Sequence, residues 1–357
     1  MRVYVVPADA YGCGHYRLIW PADVLHKAHG VNVSVIPPNG KSGFLAKVEE
    51  EPGKKPILKS VSIPEDADVI VLQRPAHPLQ PQMIRMMRSN GVAVIVDMDD
   101  DMSSIHPKNV AYETYHTRSS SPFSWRHAIE SCREATMVTT STSQLQKVYA
   151  KHGRGAVLDN YVPSAYLKFH KKETGTFGWP GSTSSHPDDL QVTGDAVKRL
   201  IKNGHDFRVV GGQSKVREAL RLDSEPTFTG AVGPEAWART IAQTLDVGMA
   251  PLSSTAFNSS KSRLKPIELM SVGVPWVGSP RAEYRRVNRE SGCGLLADTP
   301  REWYSKLQQL ITDEVLRKEQ AEAGREWMQQ QTYEMNAWKW AEAWETALKL
   351  QRGSSVS

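Results

Sequence analysis

Cysteine is scarce in this 357-residue chain: Cys13, Cys132 and Cys293 are too few and too widely spaced for a disulfide scaffold or a cysteine metal site. Their odd number points to a reducing compartment, so the cytoplasm is the expected location. Long apolar runs are missing as well. None approaches the ~20 residues of a membrane span, and the opening Met1-Arg2-Val3-Tyr4-Val5-Val6-Pro7 is too short for a signal peptide and reads as a first strand. Charge of one sign is not in large excess. With 44 basic and 39 acidic residues, the net +5 admits an anionic ligand without marking a nucleic-acid binder.

What is present is an alternation of strand-like and helix-like segments. Val3–Val6, Val31–Ile36, Ala67–Leu72, Val92–Val96, Ala135–Thr139 and Ala156–Leu158 read as strands separated by helical stretches. Such alternation implies βαβ units and a parallel sheet. Tyr161 to Gly175 reads as a linker, after which the pattern restarts with Thr176–Trp179, Phe207–Gly212, Thr227–Gly230, Val247–Pro251 and Val274–Gly278. The tail from Arg301 to Leu350 is helical, with Trp340, Trp344 and Leu348 in one stripe and Trp338 as a second apolar element. The expectation is an α/β protein of two doubly wound, Rossmann-like domains facing a central cleft, at 1–163 and 164–325. A C-terminal helix at 326–350 would cross back to the first domain. In such sheets ligands sit beyond the carboxyl ends of the strands.

Four segments carry chemistry. Phe257 to Pro275 is a polar loop feeding a helix expected to begin near Pro266 and stop at Gly273. Unpaired N–H groups at that helix start, beside Lys261, Arg263 and Lys265, suit an anion, and Glu268 one turn in suits two ribose hydroxyls. The alternative is an ordinary helix start with solvated lysines. Gly12-Cys13-Gly14-His15-Tyr16-Arg17 follows the first strand; two glycines permit close backbone approach to a ligand, or simply a tight turn. It is not a dinucleotide fingerprint, because the third glycine is missing and Pro21 interrupts the helix. Asp97-Met98-Asp99-Asp100-Asp101 offers hard ligands to a divalent metal, hydrogen bonds to a ligand hydroxyl, or a cap for the next helix. Gly181-Ser182-Thr183-Ser184-Ser185-His186 is a polar loop without Arg or Lys.

Taken in order, these segments resemble the GT-B glycosyltransferases, in particular the retaining family 4-like (glycosyl transferases group 1) enzymes. The Gly12–Arg17 loop, Asp97–Asp101, Val138–Thr142, Asp159-Asn160, Gly178–Ser182, Asp246–Leu252 and the tail around Trp303 all contribute. Of that family's E-x7-E motif, Ser260 holds the first position and Glu268 the second. A branch with Asn, two lysines and the glutamate is matched by Asn258, Lys261, Lys265 and Glu268. The resemblance implies a glycosyltransferase that moves a sugar from a nucleotide-diphosphate sugar to an acceptor hydroxyl, with retention and without metal or other cofactor. Asn258, Lys261, Lys265, Glu268, Gly181 and Ser182 would bind the donor, with Lys261 and Lys265 stabilising the leaving diphosphate. Gly12, Gly14, His15, Arg17, Asp97 and Asp99 would lie on the acceptor side. A sugar-nucleotide epimerase, or a non-catalytic carbohydrate- or nucleic-acid-binding relative, are the rival readings. The residues leave open the acceptor (glycan, lipid, small molecule, protein or modified DNA base), the donor base and the oligomeric state.

Overall fold

A computed structural model describes residues 1–38, 45–49, 56–118, 121–212 and 215–354. The chain divides into two compact units. The first comprises 1–105, 111–160 and the tail from Tyr333; the second comprises 106–110 and 161–332. The tail boundary therefore differs from the expected 326: the helix Glu314–Met328 runs on within the second unit, and the return to the first begins at Tyr333.

In the first unit, strands β1 (Arg2–Val6), β2 (Asn32–Val35), β5 (Val69–Gln73), β6 (Ala93–Met98), β7 (Met137–Thr140) and β8 (Gly155–Val157) form a parallel sheet in the order β2-β1-β5-β6-β7-β8. Every residue of β5 and β6 is buried, as the apolar runs Val69–Leu72 and Ala93–Val96 require of strands covered on both faces, and Gln73 and Asp97 are buried at their ends. The intervening β3 (Leu45–Glu49) and β4 (Ile57–Ser62) make a separate antiparallel hairpin that the sequence pattern does not announce, being polar and short of alternation.

The tail packs on this unit. Trp340 and Trp344 are buried, contributing roughly 1.5–3 kcal/mol each. Trp340 Nε1 donates to the Arg17 carbonyl at 2.9 Å, the Tyr333 hydroxyl donates to the Tyr16 carbonyl, and Gln351 bonds Arg88 and Thr136. Trp338 is the exception to the apolar reading of the tail, half exposed and capped by its own turn.

The second unit repeats the architecture. Strands β9 (Thr176–Pro180), β10 (Asp206–Val210), β11 (Thr227–Thr229), β12 (Val247–Ala250), β13 (Trp276–Gly278) and β14 (Leu295–Leu296) are parallel, in the order β11-β10-β9-β12-β13-β14. Trp179, Trp303, Phe177 and Leu307 anchor its core. The expected linker is not loose: Tyr161, Val162 and Tyr166 are buried, and Val162 pairs with Thr332.

Strand order reverses direction once in each sheet, between β1 and β5 and between β9 and β12. At such points the following loops diverge and leave a crevice, so the segments after β1, β5, β9 and β12 are the places to find a ligand.

Candidate functional site

The crevice in the second unit is flanked by the loop after β9, Gly181–His186, and by the chain from β12 into the helix Leu264–Ser271. That helix starts two residues before the expected position, so Lys265 lies in its first turn and Glu268 one turn further. Asn258, Lys261, Lys265 and Glu268 all belong to this one side of the site. Lys261 Nζ sits 4.3 Å from the Phe257 ring centroid and Lys265 Nζ 5.9 Å from that of Trp179. Burial lowers the Lys265 pKa; Glu268 and Asp189 oppose this, and Lys261 adds to it. An anion would favour the charged ammonium further, adding to the counter-charges of Glu268 and Asp189. Arg263 differs from its expected place beside the lysines: it is buried, with its guanidinium 4.9 Å from the Tyr161 ring and 5.5 Å from Trp327.

Asn258 is close by but committed elsewhere. Its amide donates to Asp189 Oδ1 at 2.6 Å and to the carbonyl and hydroxyl of Ser253. These three bonds hold the amide nitrogen between Asp189 and Ser253. Asp189 also accepts from the Ser253 N–H and hydroxyl, each at 2.9 Å, and from His186 Nδ1 at 2.8 Å. Burial alone would raise its pKa, yet these hydrogen bonds bring it down to about 2. His186, in turn, is lowered to about 4 by burial and by Lys265 and Lys261, against the pull of Asp189. Gly181 is required sterically: a Cβ would stand 2.6 Å from the Trp179 ring. Its N–H is spent on the Val210 carbonyl, so Gly181 shapes the loop rather than offering its amide. Ser182 Oγ shares a hydrogen bond with Ser184 Oγ at 2.7 Å. Residues 106–110 rest on the same loop, through Val110 N–H to the Ser184 carbonyl, Asn109 to the Ser185 carbonyl, and His106 and Lys108 to Asp188.

The first unit's crevice corrects several expectations. Arg17 and Asp97 are both fully buried and bind each other: Nε to Oδ1 at 3.0 Å and Nη2 to Oδ2 at 2.8 Å. Thr139 donates to the same carboxylate at 2.7 Å, and Arg17 reaches Asn160 and the Leu158 carbonyl. Burial opposes the Arg17 charge, but Asp97 outweighs it and raises its pKa. Neither residue presents a group to an acceptor. Gly14 is buried too, and only glycine fits: a Cβ would lie 1.9 Å from the Asp9 carbonyl oxygen. Its φ is an ordinary helical one, so contact, not turn geometry, is the reason. Gly12 and His15 stay partly exposed, with His15 Nδ1 2.7 Å from the Tyr11 carbonyl.

Asp99 does stand at the crevice. Arg74, just past β5 at a positive φ of 51°, grips it through Nε and, at 2.7 Å, through Nη2. The same guanidinium lies 3.2 Å from Asp100 Oδ2 and 3.2 Å from Cys13 Sγ. Burial raises the Asp99 pKa despite Arg74, and pushes the Cys13 thiol up to about 12. Asp101 caps the turn Met102–Ser104, accepting from Ser103 and Ser104. Among the described residues, no group of three or more His, Cys, Asp or Glu is arranged to share a metal ion, and no helix is long and apolar enough to cross a membrane.

Arg74, Tyr115, His186 and Asp189 are the site residues that sequence reasoning did not single out. Tyr115, raised by burial, stands in the field of Arg74 and Asp99. A signal existed for both Arg74 and Asp189: Arg74 is the first residue after β5 and Asp189 follows β9 in the same connection, and both strands flank the point where strand order reverses.

This architecture is shared with solved enzymes of the GT-B fold. A sucrose-phosphate synthase from Thermosynechococcus elongatus aligns over 97% of this chain and 99% of its own, at 14% identity and a TM-score of 0.62. A glycosyltransferase from Rickettsia africae ESF-5 aligns over 98% and 99%, at 12% identity and a TM-score of 0.63. Anabaena Alr3699/HepE, solved in complex with UDP, aligns over 97% and 100%, at 12% identity and a TM-score of 0.59. No curated protein sequence matches the chain. The model of the family described as Glycosyl transferases group 1 matches residues 174–313, within the second unit and including the lysine and glutamate side of its crevice. Fold and family match together indicate a glycosyltransferase.

Proposed function

We propose that the protein transfers a sugar from a nucleotide-diphosphate sugar to an acceptor hydroxyl, with retention of configuration and without a metal. The observation that carries this reading is the pair Lys261 and Lys265 at the crevice between β9 and β12, with Glu268 one turn along the same helix. As the glycosidic bond breaks, negative charge collects on the departing diphosphate. Fixed cations and the N-terminal amides of the Leu264–Ser271 helix stabilise it without reorganising. Glu268 takes the ribose hydroxyls, and its carboxylate also balances Lys265. The UDP complex of the Anabaena neighbour supports a nucleoside diphosphate as the donor's leaving group. Retention is read as a front-face return, in which the leaving phosphate itself accepts the acceptor's proton. The acceptor hydroxyl is read on the first unit beside Asp99.

The test is incubation with a panel of sugar nucleotides in the presence of a chelator, scored for free nucleoside diphosphate and for altered donor sugar. Slow diphosphate release unaffected by the chelator is the expected result. An epimerised donor without release would replace transfer by epimerisation, and restoration of activity only by magnesium or manganese would return the Asp97–Asp101 segment to metal binding.

A further inference from the structure

His186 is the one side chain at the donor crevice whose chemistry is set up by its neighbours and to which no role has yet been given. It closes the loop after β9, and 16% of its side chain is exposed, enough to meet a ligand. Its Nδ1 lies 2.8 Å from Asp189 Oδ2, and Asp189 is immobilised by Ser253 and Asn258. With that carboxylate ionised, Nδ1 carries the ring proton and donates it, so Nε2 holds the lone pair. Among the described residues Nε2 has no hydrogen-bond partner. The loop from Gly181 to His186 contains no Arg or Lys, so this imidazole is its only group able to become a cation.

We propose that His186 is a further donor-binding residue, an imidazole that Asp189 holds ready to take a proton from solvent and meet the donor diphosphate as a cation. This rests on the reading of the second unit as the donor site. The charged and titratable groups around the ring are Asp188 and Asp189 on its own loop and Lys261, Lys265 and Glu268 on the segment after β12. His106 and Lys108, which engage Asp188, and Tyr284 from the helix Ala282–Ser291 complete the set. In the free protein, burial and the two lysines keep the ring neutral, with a pKa of about 4. A diphosphate cancels the lysine charges and adds its own, while Asp189 stays anionic behind the ring, so the field on His186 changes sign. Nε2 gains one proton as the diphosphate binds and returns it to solvent as the diphosphate leaves; no other bond is made or broken. The site thus acquires its third positive charge only when negative charge is there to be stabilised.

Isothermal titration of UDP, GDP, ADP and inorganic pyrophosphate, at about pH 5, midway between the free and bound titrations of the ring, in buffers of different ionisation enthalpy, counts the protons taken up on binding. The expected result is an uptake in the wild type that is lost in His186→Gln, the ligand's own protonation being common to both. A second measurement needs no variant: in protein carrying ε1-13C histidine, the His186 resonance should titrate at about 4 when free and about two pH units higher with ligand bound. Equal proton counts together with an unmoved resonance would overturn the role of His186 and leave the donor site standing. Absence of binding by every diphosphate would overturn the donor-site reading itself, and this inference with it.

Discussion

Trp340 donates its indole N–H to the main-chain carbonyl of Arg17 at 2.9 Å, and its ring centroid lies 5.6 Å from the guanidinium of the same residue. Arg17 in turn holds Asp97 at the end of β6. The last helix, the helical turn His15–Ile19 and the middle of the first sheet are therefore joined through one buried cation. An arginine–aspartate pair near the end of a strand invites a catalytic interpretation, but complete burial makes this pair part of the architecture.

Asp97→Asn should destabilise the protein by about 3–5 kcal/mol, because it leaves the Arg17 charge buried without its counter-ion. Urea unfolding at pH 7 measures this. Diphosphate binding by whatever fraction remains folded should match the wild type, and a stable variant that had lost activity would return Asp97 to the acceptor.

Lys265→Met keeps the aliphatic stem against Trp179 and removes only the charge. A charged hydrogen bond of about 1.5–3 kcal/mol corresponds to roughly 10- to 100-fold weaker binding of a nucleoside diphosphate. Calorimetry should show that loss with an unchanged melting temperature; undiminished affinity would move the diphosphate away from this helix.

Acid should weaken the second unit in two overlapping steps. His186 is held below its ordinary pKa, at about 4, so the unfolded chain takes up its proton first, and stability falls as pH drops from near 6.5 towards 4. Asp189 is held at about 2; its contribution is complete above about 4 and is lost as pH falls towards 2. Denaturant midpoints measured across this range should show a limb between pH 6.5 and 4 that His186→Gln flattens. A wild type equally stable at pH 6.5 and 4.5 would contradict the burial of a neutral ring.

The strands were legible because burial on both faces writes itself as unbroken apolar sequence, as in Val69–Leu72 and Val92–Val96. The lysine and glutamate side of the second unit's crevice was legible for a related reason, since Asn258, Lys261, Lys265 and Glu268 fall within one short stretch of sequence. Partnerships across the sheet were not. Asp97 meets an arginine 80 residues earlier, and Asp189 meets an asparagine 69 residues later; nothing in local spacing distinguishes an aspartate so neutralised from one facing solvent. Gly14 was misread for the opposite reason. Glycine next to a strand suggests room for a ligand, whereas here the space is already filled by the Asp9 carbonyl.

The course of the chain between the two units limits how the gene can be cut. Five residues, 106–110, belong to the second unit although they are encoded in the middle of the first, and the residues from Tyr333 belong to the first although they are encoded last. Neither unit corresponds to one uninterrupted stretch of coding sequence. A chimera joined at residue 160 to the second half of a relative would inherit a foreign final helix against Arg17, and would leave its own 106–110 to settle on a loop it did not evolve with. On the proposed assignment of the donor to the second unit, exchange of its specificity is therefore better attempted by transplanting the loop after β9 together with 106–110 than by a single crossover.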